Sequence, residues 1–255
     1  MKRVFAVARN TLREAIRDKV LYSILFFGVL VLGMSLVTEE ITIGDQAKVV
    51  RSIAQGAIDL FAAIIAMFLG ISLVWKELDR KTVYTVLSKP LPRWQFVVGK
   101  YLGLMATLVV EVGILLALYC ALMTMHQEFP PPVVFVSMGL LIAELALLTA
   151  FATLFSAASS PVTAAAFTLS VFVIGHLADD IWVFGNQAQS PAMREVARVL
   201  YWALPNFEVF SIREEAVHHM PIPWGRLGSA LAYGATYTSA VLLGAVMVFE
   251  RKDIQ

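Results

Sequence analysis

Charge is scarce in this chain. Only 15% of its residues are Asp, Glu, Lys or Arg against 59% hydrophobic, and the mean hydropathy of +0.75 lies beyond the range of soluble domains. A net charge of +1 makes no case for a polyanionic partner, and no nucleic-acid partner is expected. A single cysteine, Cys120, excludes an internal disulfide and leaves the redox compartment open. No GxxxxGK[ST] loop occurs. The Gly99-Lys100 pair lacks both the upstream Gly and the following Ser or Thr, so the chain has no phosphate cradle of its own. Neither Ser170 nor Ser211 sits in a nucleophile motif, and no catalytic residue is assigned. Met123 and Met125 beside His126 are ligands that copper accepts. Yet His126, His176, His218 and His219 have no spacing that fixes a coordination geometry, and no metal site is assigned.

What the chain does have is six long apolar runs, at 20–37, 57–75, 96–123, 133–155, 161–178 and 227–249. A bilayer core about 30 Å thick is crossed by about 20 mainly apolar helical residues. The runs are continuous, whereas a membrane barrel alternates apolar and polar residues in shorter segments. The expected fold is therefore an all-α polytopic membrane protein with six transmembrane helices, a single transmembrane domain over 1–255. The first run is longer than a signal-peptide core, and no small-residue cleavage pattern follows Leu36, Val37 and Thr38, so it is expected to remain as a span.

Lys and Arg sort by side. Fourteen fall on the N-terminal segment, the 76–100 stretch and the tail, and six on the other side, which predicts cytoplasmic termini. In 1–19, Val4, Ala8, Leu12 and Ile16 recur every fourth residue beside a stripe of Arg9, Arg13 and Arg17. This spacing predicts an interfacial helix with its cations toward anionic head groups.

Within 76–95, Val83, Val86, Leu87 and Leu91 share one helical face behind a charged turn of Glu77, Asp79, Arg80 and Lys81. Pro90 and Pro92 end that short helix. An apolar face projecting into the cytoplasm needs a groove or a membrane surface. On the outer side, 179–226 is expected to form a broken, re-entrant pair, helical over Glu195 to Ala203, interrupted at Pro205 and resumed over Phe207 to Val217.

Three acids fall inside spans: Asp59, Glu111 and Glu144. At 1.5 Å per residue all three lie from the middle of the membrane outward, with Glu144 about 16 Å in from the outer end of its run. A central charge costs at least about 2.5 to 3.5 kcal/mol, so each must face protein or water. They are candidates for a polar translocation cavity or a proton relay, and equally for hydrogen-bonded glue between helices. A secondary transporter would use the same acids, but its paired, Gly-interrupted short spans are absent from the sequence.

The segment Glu77, Thr82, Leu87, Ser88, Pro90, Arg93, Gly99 and Lys100 resembles the cytoplasmic coupling segment of permeases in type-2 ABC transporters, with Lys81 where many members carry Gly. An aromatic followed by Glu250, Arg251, Lys252 and Asp253 extends the likeness to the tail. The resemblance implies two permease copies, as a homodimer or a heterodimer, in a bacterial inner membrane, with two cytoplasmic ATPase subunits that hold ATP and Mg while this chain binds no cofactor. It implies that Val83, Val86 and Leu87 dock in the ATPase while Glu77, Arg80, Lys81 and Arg93 set register by charge. The membrane subunit of the complex that matures nitrous oxide reductase is similar. That likeness raises a second role beside export, in which ATP-driven force is transmitted to a periplasmic partner.

Overall fold

Apolar runs in lipid must satisfy every backbone donor and acceptor within themselves, and the helix does so one segment at a time. The computed structural model describes residues 2–41, 46–79, 92–125, 129–188, 190–218, 220–222 and 224–251, and within these it is almost wholly helical. Among the described residues ten α-helices follow in order: α1 (Lys2–Ile16), α2 (Lys19–Ile41), α3 (Gln46–Asp79), α4 (Arg93–Met125), α5 (Pro132–Ala158), α6 (Pro161–His176), α7 (Ala178–Gln187), α8 (Pro191–Ala203), α9 (Arg213–Val217) and α10 (Trp224–Arg251). A 3-10 turn, Glu208–Phe210, precedes α9. Helix starts follow the prolines: α5, α6 and α8 each open on one, where a missing N–H is no loss. Ser160 caps α6 by accepting from the Thr163 backbone N–H at 3.5 Å.

Among the described residues four helices are long and apolar enough to cross a membrane: Lys48–Ile71, Arg93–Met125, Pro132–Ala158 and Trp224–Arg251. The expected fifth span, 161–178, is not one straight helix. It is helical to His176, then bends by 61° into α7, and the pair counts as a fifth crossing only if taken together. At 16 residues α6 is about 24 Å long, short of the hydrocarbon thickness. The expected first span lies in α2, many of whose side chains are outside the described residues. In the outer segment the structure adds a helix, α7, that the sequence spacing does not mark. It replaces the expected helix over 207–217 by the 3-10 turn and the five-residue α9.

Helix α5 is the centre of the bundle, packed against α3, α4, α6 and α10. Tyr101 donates from its hydroxyl to Ala146 O at 3.1 Å, and Ser156 Oγ to Ile71 O at 3.1 Å, which fixes α4 and α3 against it. Helix α1 lies on the first turns of α4. Two glycines make this approach, since a Cβ on Gly99 would stand 2.8 Å from Val7 Cβ, and one on Gly103 would stand 2.6 Å from Ala8 O. Lys100, buried between the two helices, reaches Glu14 at 3.6 Å and lies 5.7 Å from the Phe96 ring centroid. The Gly-Lys pair thus serves helix packing.

The apolar stripe read along α1 is divided by this contact. Thr11 and Ala15 are buried and Val4, Val7 and Ala8 partly so, whereas Phe5 and Ile16 are exposed on another side. By helical rotation the exposed pair adjoins Arg9, Arg13 and Arg17, the arrangement of an interfacial helix that also docks on its own protein.

Candidate functional site

The termini-bearing end of the bundle and the opposite end each gather polar groups. At the first, α3 runs to Asp79, and α4 begins at Arg93. Arg93 Nη1 donates to Glu250 O at 2.9 Å and to Phe249 O at 3.4 Å, the closing carbonyls of α10. Phe96 stacks on Phe249 with ring centroids 5.9 Å apart. Of the residues expected to couple to an ATPase, Glu77 lies in α3 with its side chain outside the described residues, and Arg80, Lys81, Val83, Val86 and Leu87 lie outside them altogether.

At the opposite end α3, α5, α6, the 3-10 turn and α9 enclose a cavity of about 400 Å³. Asp59 and Glu144, two of the three intramembrane acids, line it together. Each meets a cation. His176 Nε2 lies 3.3 Å from Glu144 Oε1, and Arg213 Nη1 lies 4.0 Å from Asp59 Oδ2. His176 Nδ1 donates to Phe172 O at 3.0 Å, one turn back along α6, which orients the ring so that Nε2 faces the carboxylate.

Glu111 does not join them. It is 2% exposed within α4, is not among the lining residues, and neither of its carboxyl oxygens has a hydrogen-bond partner among the described residues. Of the three acids grouped by depth, two share a site and the third belongs to the helix interface.

The cavity owes its outer wall to the chain that returns from α8. Asn206 holds that return at three points. Its N–H donates to Tyr233 Oη at 2.9 Å, its side-chain Nδ2 donates to Asp179 Oδ1 at 2.8 Å, and its Oδ1 accepts from Glu208 N at 2.9 Å. Phe207, fully buried, donates from its backbone N–H to Gly175 O at 3.0 Å, and its ring stacks on His176 at 5.5 Å. Gly175 is required by this approach: a Cβ there would collide with the Phe207 ring and stand 2.7 Å from Pro205 O. Arg226 donates to Glu208 O at 3.3 Å and faces Glu215 at 3.8 Å. The Glu208 carboxyl is pushed above the usual carboxylate range, first by burial and then by the charges of Asp179 and Glu144, against the pull of His176 and Arg226.

His176, Arg213, Glu208 and Ser137 line the cavity without having been singled out for it in the sequence. A usable signal was the placement of His176 inside the outer end of the 161–178 run, at the depth of the intramembrane acids; Arg213, well inside the 179–226 segment, carried none.

With both ends in view, one comparison decides the family. The profile of the ABC-2 family transporter proteins matches residues 5–254, nearly the whole chain. The chain belongs to that family. No curated protein matches it closely enough to be reported as a relative. The permease is thus an integral membrane component of an ABC transporter, and partnership with an ABC ATPase follows from the family.

Proposed function

We propose that this chain is the membrane half of an ATP-driven exporter, coupled through 76–95 to a separate cytoplasmic ATPase that holds the ATP and Mg. The observation that carries the reading is the joint at Arg93. The segment expected to meet the ATPase returns into the bundle at a residue tied to the end of α10, so displacement of that segment is passed directly to a membrane helix. The polar cavity at the far end supports cargo handling.

Six crossings are consistent with the geometry. Because α1 and the end of α10 both pack on the start of α4, the two chain ends lie at one end of the bundle, which requires an even number. Four long helices and the bent pair make five, and α2, packed on α3 and α4, supplies the sixth. Two permease copies, alike or different, would complete the assembly in a bacterial inner membrane.

A second reading, force transmission to an extracytoplasmic partner, is favoured by one feature. Helices α7 and α8 pack chiefly on each other and leave Phe184 and Trp202 exposed by 71% and 75%. Such a hairpin is a surface on which a partner could be pulled.

Affinity purification of the tagged chain from solubilised membranes should bring down a P-loop ATPase in equal copy number. A chain that purifies alone from intact membranes overturns the reading. Orientation is tested separately. In a Cys120→Ala background, cysteines at Ser190 and Gln255 should react with an impermeant thiol reagent from opposite sides, and labelling of both from outside overturns the topology.

A further inference from the structure

We propose that the cavity lined by Asp59 and Glu144 recognises a primary ammonium group carried on an apolar body. The proposal rests on reading the permease as handling cargo. Its ground is what remains after the cavity's own charges are paired. Asp59 faces Arg213 and Glu144 faces His176. Two further acids, the half-buried Glu208 and the exposed Glu214, line the same space with no cation within ion-pair distance among the described residues, His176 and Arg226 acting on Glu208 only from farther off.

Ser137 adds an independent sign. It lines the cavity, is 8% exposed, and makes no side-chain hydrogen bond among the described residues. Thr107, Thr153, Thr168 and Ser170 each donate to the carbonyl four residues back, a common refuge of a hydroxyl in an apolar helix, whereas Thr149 and Thr238 are buried without it and line no part of the cavity. Ser137 forgoes that bond and leaves its hydroxyl to the cavity, where the oxygen can accept from an ammonium N–H.

The apolar lining is suited to the rest of such a ligand. Phe172 and Phe210 contribute rings whose faces attract cations and whose edges pack against hydrocarbon. A volume of about 400 Å³ is that of a small-molecule site. An anion would meet two unpaired carboxylates. A neutral molecule of the same shape would leave them uncompensated, so the charge balance selects a cation.

The ammonium could come from a free amine or from the head group of an aminolipid, and the test separates the two. The full chain is purified into phosphatidylcholine nanodiscs and titrated by calorimetry with 2-phenylethylamine, with 3-phenylpropionate and with 2-phenylethanol. Saturable binding of the amine alone is expected. Ser137→Ala and Glu208→Gln should each weaken it about tenfold, the size of a lost hydrogen bond to a charged group. Glu195→Gln removes an acid paired with Arg198 outside the cavity and should change nothing. If Glu208→Gln does not fold, Glu214→Gln, an exposed position, serves in its place.

In discs containing phosphatidylethanolamine, a loss of apparent amine affinity assigns the site to the lipid head group, and unchanged affinity assigns it to a free amine. Equal binding of amine and carboxylate, or amine binding untouched by every cavity variant, overturns the proposal. Amine binding without any effect on the partner's ATP hydrolysis or on transport would retain the site and sink the cargo reading. Intact transport without amine binding would do the reverse.

Discussion

Leu87→Asp should release the ATPase from the detergent-solubilised complex, or leave it bound with hydrolysis no longer tied to the membrane subunit, while insertion and yield are unchanged. Val83, Val86 and Leu87 share one face of the helix expected between Lys76 and Pro90, and such a face gains little from water. Burying one Leu is worth roughly 1.5 to 3 kcal/mol, and a buried aspartate replaces that gain with a desolvation cost. The neighbouring charges contribute orientation more than affinity. The flanks make the location apt: α3 runs on to Asp79 on one side, and Arg93 is tied to the end of α10 on the other. Lys48→Ala, at the other end of α3, should have neither effect. Full co-purification and full coupled activity of Leu87→Asp would show that the transmission element lies elsewhere.

Gly175→Val should unseat the outer wall of the cavity. Its Cβ would meet the Phe207 ring and Pro205 O at 2.7 Å, and a backbone carbonyl has less room to yield than a side chain. Overpacking of this kind costs about 1 to 3 kcal/mol, and the carbonyl places this case at the upper end. The effect should spread. Phe207 stacks on His176, and His176 holds Glu144, so the displaced ring loosens the ion pair as well. A clear fall in the thermal unfolding temperature in detergent is expected, with Gly175→Ala intermediate. Wild-type stability of the valine variant would mean that the return segment does not pack on α6 in the membrane.

The helices were legible in the sequence because lipid demands continuous apolar runs, and their ends because Pro132, Pro161 and Pro191 mark them. Depth was legible too, at a fixed rise per residue. Rotation was not. Asp59, Glu111 and Glu144 sit in helices that are apolar on nearly every side, so no polar arc shows which neighbour each acid faces. Two of them share a cavity and one does not.

The partners were hidden by distance along the chain, since Arg213 meets Asp59 from an element more than a hundred residues later. The bend after His176 left a fainter mark. Asp179 and Asp180 fall in the first turn of α7, where negative charge favours a helix start, directly after the apolar run that ends at Ala178. The stripe Val4, Ala8, Leu12 and Ile16 was a correct helix signal that two surfaces divide between them, because one face of α1 is claimed by Gly99 and Gly103.

That docking of α1 has a consequence for the bilayer itself. The first three turns of α4 carry Arg93, Gly99, Lys100 and Gly103, so one short stretch of backbone grips the tail of α10 and the whole of α1. On the coupling proposed above, a stroke arriving at Arg93 would tilt a helix whose exposed Phe5 and Ile16 adjoin its arginines, an arrangement suited to acyl chains beside phosphates. The lipids beneath α1 would then be part of the load that ATP hydrolysis moves, and leaflet composition should set the turnover rate even where it leaves the cargo site untouched.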